Sequence, residues 1–294
     1  MARFQGSMVA IVTPFKDGAV DLAKLRELVA WHLAEGTDAI VPCGTTGETA
    51  TLSPAEDAEV IRATIDVVRG KVPVIAGAGS NSTHEAIAAV KTARELGADA
   101  ALVVTPYYNK PTQEGLFRHY AAIAEATRFP VVAYNVPGRT AVDLLPDTTA
   151  RLLKAGHIVG LKDATASLDR QLQLLELCGQ DGMTYLSGDD FTIAPYIAMG
   201  GHGVISVVAN VAPRATRELV AAALRGDVAD ARARQVNLAP LIRAMFVETS
   251  PAPAKAALGL MGKCSPELRL PLAPLSEASL ARVREALVRC GVLS

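Results

Sequence analysis

The stretch that decides the fold runs from residue 130 to residue 163: PVVAYNVPGRTAVDLLPDTTARLLKAGHIVGLKD. It opens on an apolar run, Pro130–Tyr134. A helical pattern follows near Pro146–Lys154, and a second apolar run, His157–Leu161, delivers Lys162 and Asp163. Strand, helix and strand in that order make a βαβ unit. Apolar runs that do not alternate with polar residues belong to strands covered on both faces.

The same unit repeats in both directions. Upstream, Met8–Val12 precedes a helical pattern over Asp21–Glu35. Asp38–Val41 precedes a helix starting at Ser53-Pro54, with Glu56 completing a capping box. Val72–Ala76 precedes a helix opened by Ser82 with Glu85, and Ala98–Val104 one opened by Thr112. Downstream come a helix near Ser167–Cys178, then Met183–Leu186 with a helix near Phe191–Met199, then Gly203–Val208 with a helix from Pro213. That makes eight strand-then-helix units in about 225 residues. A doubly wound sheet and a closed barrel both fit the alternation. Eight regular units with no second fold-like segment favour an α/β (β/α)8 TIM barrel. No G-x-G-x-x-G follows the first strand, which weakens a dinucleotide-binding alternative. After Gly226 the strand signals stop, and Asp227–Phe246, Pro251–Met261 and Ser276–Cys290 read as helices. The expected organisation is a catalytic barrel over residues 1–226 and a C-terminal helical extension over residues 227–294.

Composition removes several function classes. Half of the 294 residues are apolar, enough for a large core, so disorder is excluded. Lys plus Arg is 29 against 30 for Asp plus Glu, so the basic excess of a nucleic-acid binder is missing. The opening apolar run, Met8–Val12, is too short for a signal-peptide core. Residues 191–213 lack charge but contain Pro195, Gly200-Gly201 and Asn210; a buried helix, a turn and a strand explain them better than a membrane span. Cys43, Cys178, Cys264 and Cys290 form no C-x-x-C pair and read as reduced thiols of a cytoplasmic protein. There is no H-E-x-x-H, and no metal site is expected.

In a barrel of this kind the chemistry sits in the loops after the strands. After the second run comes Gly44-Thr45-Thr46-Gly47-Glu48, a tight loop whose amides and hydroxyls suit a carboxylate or phosphate. Tyr107 and Tyr108 follow the fourth run. Tyr134 ends the fifth, and Arg139 stands on the Pro137-Gly138 turn beyond it, suited to a substrate carboxylate. Lys162, at the end of the sixth run, is the most informative residue. Strand alternation puts it on the same face as Gly160; if that face is the barrel interior, desolvation lowers its pKa and frees a nucleophilic amine. A buried pair with Asp163 is the structural alternative, though neighbouring strand residues point opposite ways. Gly188, after the seventh run, leaves room at the cavity floor, and Ile205, in the eighth, can wall the lysine pocket or simply pack the core. Amine, phenol, hydroxyls and guanidinium together suit class I aldolase chemistry. The lysine forms an imine with a keto acid, the imine loses a proton to become an enamine, and the enamine attacks a second carbonyl.

Gly44–Glu48 (GTTGE), Tyr107-Tyr108-Asn109, Tyr134–Thr140 (YNVPGRT), Gly160–Thr165 (GLKDAT) and Ser187–Asp190 (SGDD), in this order, resemble the dihydrodipicolinate synthase family. That family belongs with N-acetylneuraminate lyase among the pyruvate-dependent Schiff-base aldolases, and the resemblance covers essentially the whole chain. It implies that Lys162 forms the imine with pyruvate and that Tyr134 donates the proton near it. Thr46 and the Ile205 backbone would contact pyruvate, and Thr45 and Tyr108 would join Tyr134 in a proton relay. Tyr108 would reach into the neighbouring subunit's site, and Arg139 would hold the carboxylate of aspartate semialdehyde. The resemblance also implies no cofactor, a homotetramer built as a dimer of dimers, and a role at the start of the diaminopimelate route to lysine. It places a lysine effector site at Thr49, Ala50, Asn81, Glu85 and Tyr107. Pro54 and Asp57 stand where sensitive bacterial members often carry histidines, so weak or absent inhibition is expected. The rival readings are a sister aldolase, of the sialic-acid lyase or hydroxy-oxoglutarate type, and a silent barrel that binds a keto acid. A pyridoxal-phosphate enzyme would need a phosphate cup that the sequence does not offer beyond Gly77–Ser80.

Overall fold

The computed structural model describes residues 4–293. Eight parallel strands form the barrel: β1 (Gly6–Ala10), β2 (Ala39–Val41), β3 (Ile75–Gly77), β4 (Ala100–Val104), β5 (Val131–Asn135), β6 (Gly160–Asp163), β7 (Thr184–Ser187) and β8 (Gly203–Ser206). The order around the sheet is β2-β1-β8-β7-β6-β5-β4-β3. The seam between β2 and β3 is held by an Ile40–Val74 bridge, with the Ile40 amide donating to the Pro73 carbonyl and the Gly77 amide to the Pro42 carbonyl. The expected (β/α)8 TIM barrel is the observed fold.

Helices α1 (Leu22–Ala34), α2 (Pro54–Val68), α3 (Thr83–Leu96), α4 (Gln113–Thr127), α5 (Pro146–Lys154), α6 (Leu168–Cys178), α7 (Ile193–Ala198) and α8 (Pro213–Leu224) follow the strands in turn. Their starts are fixed locally. Asp21, Ser53, Ser82, Thr112 and Ser167 each accept an amide of the first helical turn, and Ser53 with Glu56 forms the full capping box. Two clusters of buried side chains pack helices against strands. A third fills the barrel interior with alternate strand residues, among them Met8, Ala10, Val41, Leu102, Val132, Tyr134, Leu186 and Ile205.

Strand bounds shift by up to three residues from the sequence reading, and some local features differ from it. A two-stranded ribbon, Phe15–Lys16 with Ala19–Val20, interrupts the connection from β1 to α1. Strand β6 runs from Gly160 to Asp163, three residues later at its start and two later at its end than expected, so Lys162 lies within the strand. Helix α7 is shortened by a 3-10 turn at Asp190–Thr192, and β8 ends at Ser206 before another at Val208–Asn210. In that second turn the Asn210 side chain donates to the Ala10 carbonyl and accepts from the Val12 amide, which occupies residues that would otherwise extend the strand.

Beyond Gly226, α9 (Val228–Met245), α10 (Ala252–Leu260) and α11 (Glu277–Arg289) pack on the barrel. Their Leu241, Ile242, Met245, Leu258 and Leu287 share one buried cluster with Val9, Val60 and Leu219 of the barrel layers. Among the described residues no helix is long and apolar enough to cross a membrane.

Candidate active site

Strand register builds the centre of the site. In the parallel ladder Tyr134 of β5 pairs with Lys162 of β6, so both side chains project from neighbouring strands to the same side. That side is the barrel interior: Leu161 packs in the outer cluster, whereas Lys162 lines a cavity of about 210 Å³ at the strands' carboxyl ends. Lys162 Nζ lies 4.2 Å from the centre of the Tyr134 ring. Gly188 stands beside it because space demands a glycine. A Cβ there would come within 3.1 Å of Lys162 Cε and 2.9 Å of the Ala164 methyl.

Burial pushes the Lys162 amine down to about 8 from 10.5. The buried Asp190 carboxylate opposes that fall, and the Arg139 guanidinium adds to it. At a pKa of about 8, roughly a tenth of the amine is neutral at pH 7, against about 0.03% for an unperturbed lysine. A Lys162–Asp163 pair does not form. Asp163 faces outward, 3.1 Å from the Arg170 guanidinium, and also accepts bonds from Thr165. Burial pushes the Tyr134 phenol up; the Arg139 charge and a contact from the Thr45 hydroxyl pull it back. The phenol is therefore protonated at neutral pH.

Gly44, Thr45 and Thr46 form one wall of the cavity. The loop is locked by turn bonds from the Gly47 amide to the Gly44 carbonyl and from the Glu48 amide to the Thr45 carbonyl. Arg139 sits on a single helical turn, Pro137–Thr140, at the mouth, and its guanidinium donates to the Ser250 carbonyl at 3.3 Å. Ile205 lies in the interior cluster with Met8 and Leu186, and its side chain does not reach the cavity wall. Tyr108 stands apart. It is 90% exposed, has a left-handed backbone (φ 72°), and lies outside the cavity. Within one chain the structure thus joins Lys162, Tyr134, Thr45, Thr46, Arg139 and Gly188, and leaves Tyr108 out.

The residues suggested for an effector site form two groups. Asn81 donates to the Tyr107 carbonyl and accepts from Asn109, while Glu85 accepts from Ser80. Thr49, next to Ala50, spends its hydroxyl on Asp57, whose carboxyl burial pushes up to about 6. The sequence reading quoted Asp189 within a motif but gave it no role, and it missed Val207, Phe246 and Ser250; all four also line the cavity. Phe246 and Ser250 lie between helices that the sequence places outside the barrel, and nothing local signals that they turn back to its mouth.

The profile of the Dihydrodipicolinate synthetase family matches residues 3–289. This chain belongs to the dihydrodipicolinate synthetase family. The 4-hydroxy-tetrahydrodipicolinate synthase of Anaeromyxobacter dehalogenans is 72% identical over 292 residues, covering 99% of each chain. The enzyme of the same name from Citrifermentans bemidjiense is 59% identical over 280 residues, covering 95% of this chain and 96% of that one. Among solved structures, chloride-inhibited dihydrodipicolinate synthase of Acinetobacter baumannii complexed with pyruvate superposes with a TM-score of 0.96 at 49% identity, covering 99% of this chain and 100% of that one. The lysine-bound enzyme of Cyanidioschyzon merolae also gives 0.96, at 38% identity and full coverage of both chains.

Proposed function

We infer that this chain is a lyase that condenses pyruvate with L-aspartate 4-semialdehyde to give 4-hydroxy-tetrahydrodipicolinate, opening lysine and diaminopimelate biosynthesis. Membership of the family and 72% identity to a synthase of that name support the activity. The observation that carries the chemistry is the buried Lys162 amine, with its lowered pKa, beside the Tyr134 phenol.

In this reading Lys162 Nζ attacks the ketone carbon of pyruvate. Tyr134 supplies a proton to the carbinolamine hydroxyl, which leaves as water, and a protonated imine results. The pyruvate carboxylate sits against the Thr45–Thr46 loop. Loss of a methyl proton gives the enamine, whose carbon bonds to the aldehyde carbon while the aldehyde oxygen takes a proton. The substrate's own amino group then adds to the imine carbon and expels Lys162, closing the ring. Arg139 holds the carboxylate of the semialdehyde at the mouth. Tyr108, exposed on one chain, completes the Thr45–Tyr134 relay in a neighbouring copy. That role needs a dimer, and in this reading two such dimers make a homotetramer that works in the cytoplasm. Residues 1–226 serve as the catalytic barrel and residues 227–294 as its extension. At the suggested effector site Thr49 is already bonded to Asp57, which supports weak or absent inhibition by L-lysine.

Product analysis tests the reading. The chain should consume pyruvate with aspartate semialdehyde. Turnover with pyruvate and N-acetylmannosamine instead would assign it to a sister aldolase.

A further inference from the structure

Lys255 of α10 is completely buried and is the only charge between Pro251 and Met261. Its Nζ lies 2.7 Å from Glu48 Oε1, both side chains being at most 1% exposed, and 4.1 Å from the Phe15 ring centre. The second Glu48 oxygen accepts the Arg269 amide at 3.2 Å. The Arg269 guanidinium reaches the Thr51 carbonyl at 2.9 Å, the Gly18 carbonyl at 2.8 Å and the Glu56 carboxylate. Lys255 and Arg269 both lie beyond the barrel. Glu48 is the last residue of the Gly44–Glu48 loop.

The loop itself is strained. Cys43 (φ 56°) and Glu48 (φ 57°) bracket it, both in the left-handed region that non-glycine residues rarely hold. Such a backbone persists only where its surroundings over-determine it. Beyond the turn bonds, the Thr13 hydroxyl holds the Gly47 carbonyl at 2.7 Å. The Glu48 carboxylate, anchored to the extension at both oxygens, holds the far end. The loop carries Thr45, which touches Tyr134, and Thr46, which lines the cavity.

We propose that the buried Glu48–Lys255 pair positions the Thr45–Thr46 loop for catalysis, so that the C-terminal extension acts on the barrel's chemistry through one ion pair. The proposal rests on the role given to that loop under the proposed function. Glu48 and Lys255 are positioning residues: neither lines the cavity. Their pairing also distinguishes the two buried lysines, for Lys162 has a phenol above it and Lys255 a carboxylate against it. A displacement of about 1 Å in a substrate-positioning group can cost roughly 100-fold in rate, so the pair need not touch substrate to matter.

Three variants test it: Glu48→Gln, Lys255→Met, and the two combined. Each single change leaves a partner buried without its counter-charge, and loss of stability is expected. The double change removes both charges, and replacing a whole buried pair is often neutral for stability. Turnover is measured per site that pyruvate and borohydride can trap on Lys162, which removes misfolded molecules from the comparison. The double variant should melt near the parent protein yet turn over at least tenfold slower per trapped site, with a raised KM for pyruvate. Glu48→Gln, though less stable, should show the same fall in turnover per trapped site. Parental turnover per trapped site in either variant overturns the proposal, since a purely structural pair would lower only the number of sites. If the parent protein itself forms no pyruvate adduct on Lys162, the proposed function fails first, and that outcome is distinct.

Discussion

Replacing Lys162 with methionine should abolish catalysis and make the protein more stable. Met fills a similar unbranched volume without the charge. In the folded chain burial holds the amine at about 8, against 10.5 when unfolded. The unfolded state therefore binds the proton more tightly, which costs the folded state about 3 kcal/mol at pH 7, taking about 1.36 kcal/mol per tenfold difference in affinity. The sign follows from the depressed folded value. The cost is full below pH 8, declines as pH rises between 8 and 10.5, and is gone above that window. At roughly 2 °C per kcal/mol for a chain of this size, Lys162→Met should raise Tm by about 6 °C at pH 7. At pH 10 the gain should shrink to below about 1 kcal/mol. Thermal unfolding followed by circular dichroism at both pH values, with pyruvate absent, measures this. A fall in Tm, or a gain equal at both pH values, would refute the assignment of Lys162 as a desolvated amine held at a cost in stability.

Three further outcomes are expected. Arg139→Ala should reduce use of the semialdehyde by about 1.5–3 kcal/mol in kcat/KM, the worth of a charge-assisted contact, and spare pyruvate imine formation; equal loss in both assays would make Arg139 structural or a pyruvate ligand. Lys162→Ala and Tyr108→Phe subunits, each nearly inactive alone, should recover part of their activity once exchanged into mixed dimers, and no recovery after proven exchange would mean that the relay closes within one chain. A titration with L-lysine should leave activity largely intact below millimolar, because allosteric coupling is typically only about 1–3 kcal/mol and Asp57 already engages Thr49. Strong inhibition there would show that Asn81, Glu85 and Tyr107 suffice.

The barrel was legible because each unit carries an apolar run and a helical pattern, and five of the eight also carry a capping Ser, Thr or Asp. Lys162 was legible because a lysine in such a run is rarely buried unless paired or functional; strand alternation put it on the face of Gly160, and only the closed barrel decides that this face is the interior. The Phe15–Val20 ribbon was missed although Asp17-Gly18, both with positive φ, is the usual sequence of a tight hairpin turn. Its strands are two residues each, too short for any period to show. Phe246 and Ser250 were missed for another reason. Their place at the barrel mouth depends on how α9 and α10 dock, and docking leaves no local pattern. Lys255 did leave a mark, as the one charge in an otherwise apolar helix, but its partner lies 207 residues away.

The central claim is that Lys162 is the amine that forms the imine. The protein is incubated with pyruvate, reduced with borohydride, digested and mapped by mass spectrometry. One reduced pyruvate adduct per chain, on Lys162, is the expected result. An adduct on Lys255 or Lys110, or none, would contradict it.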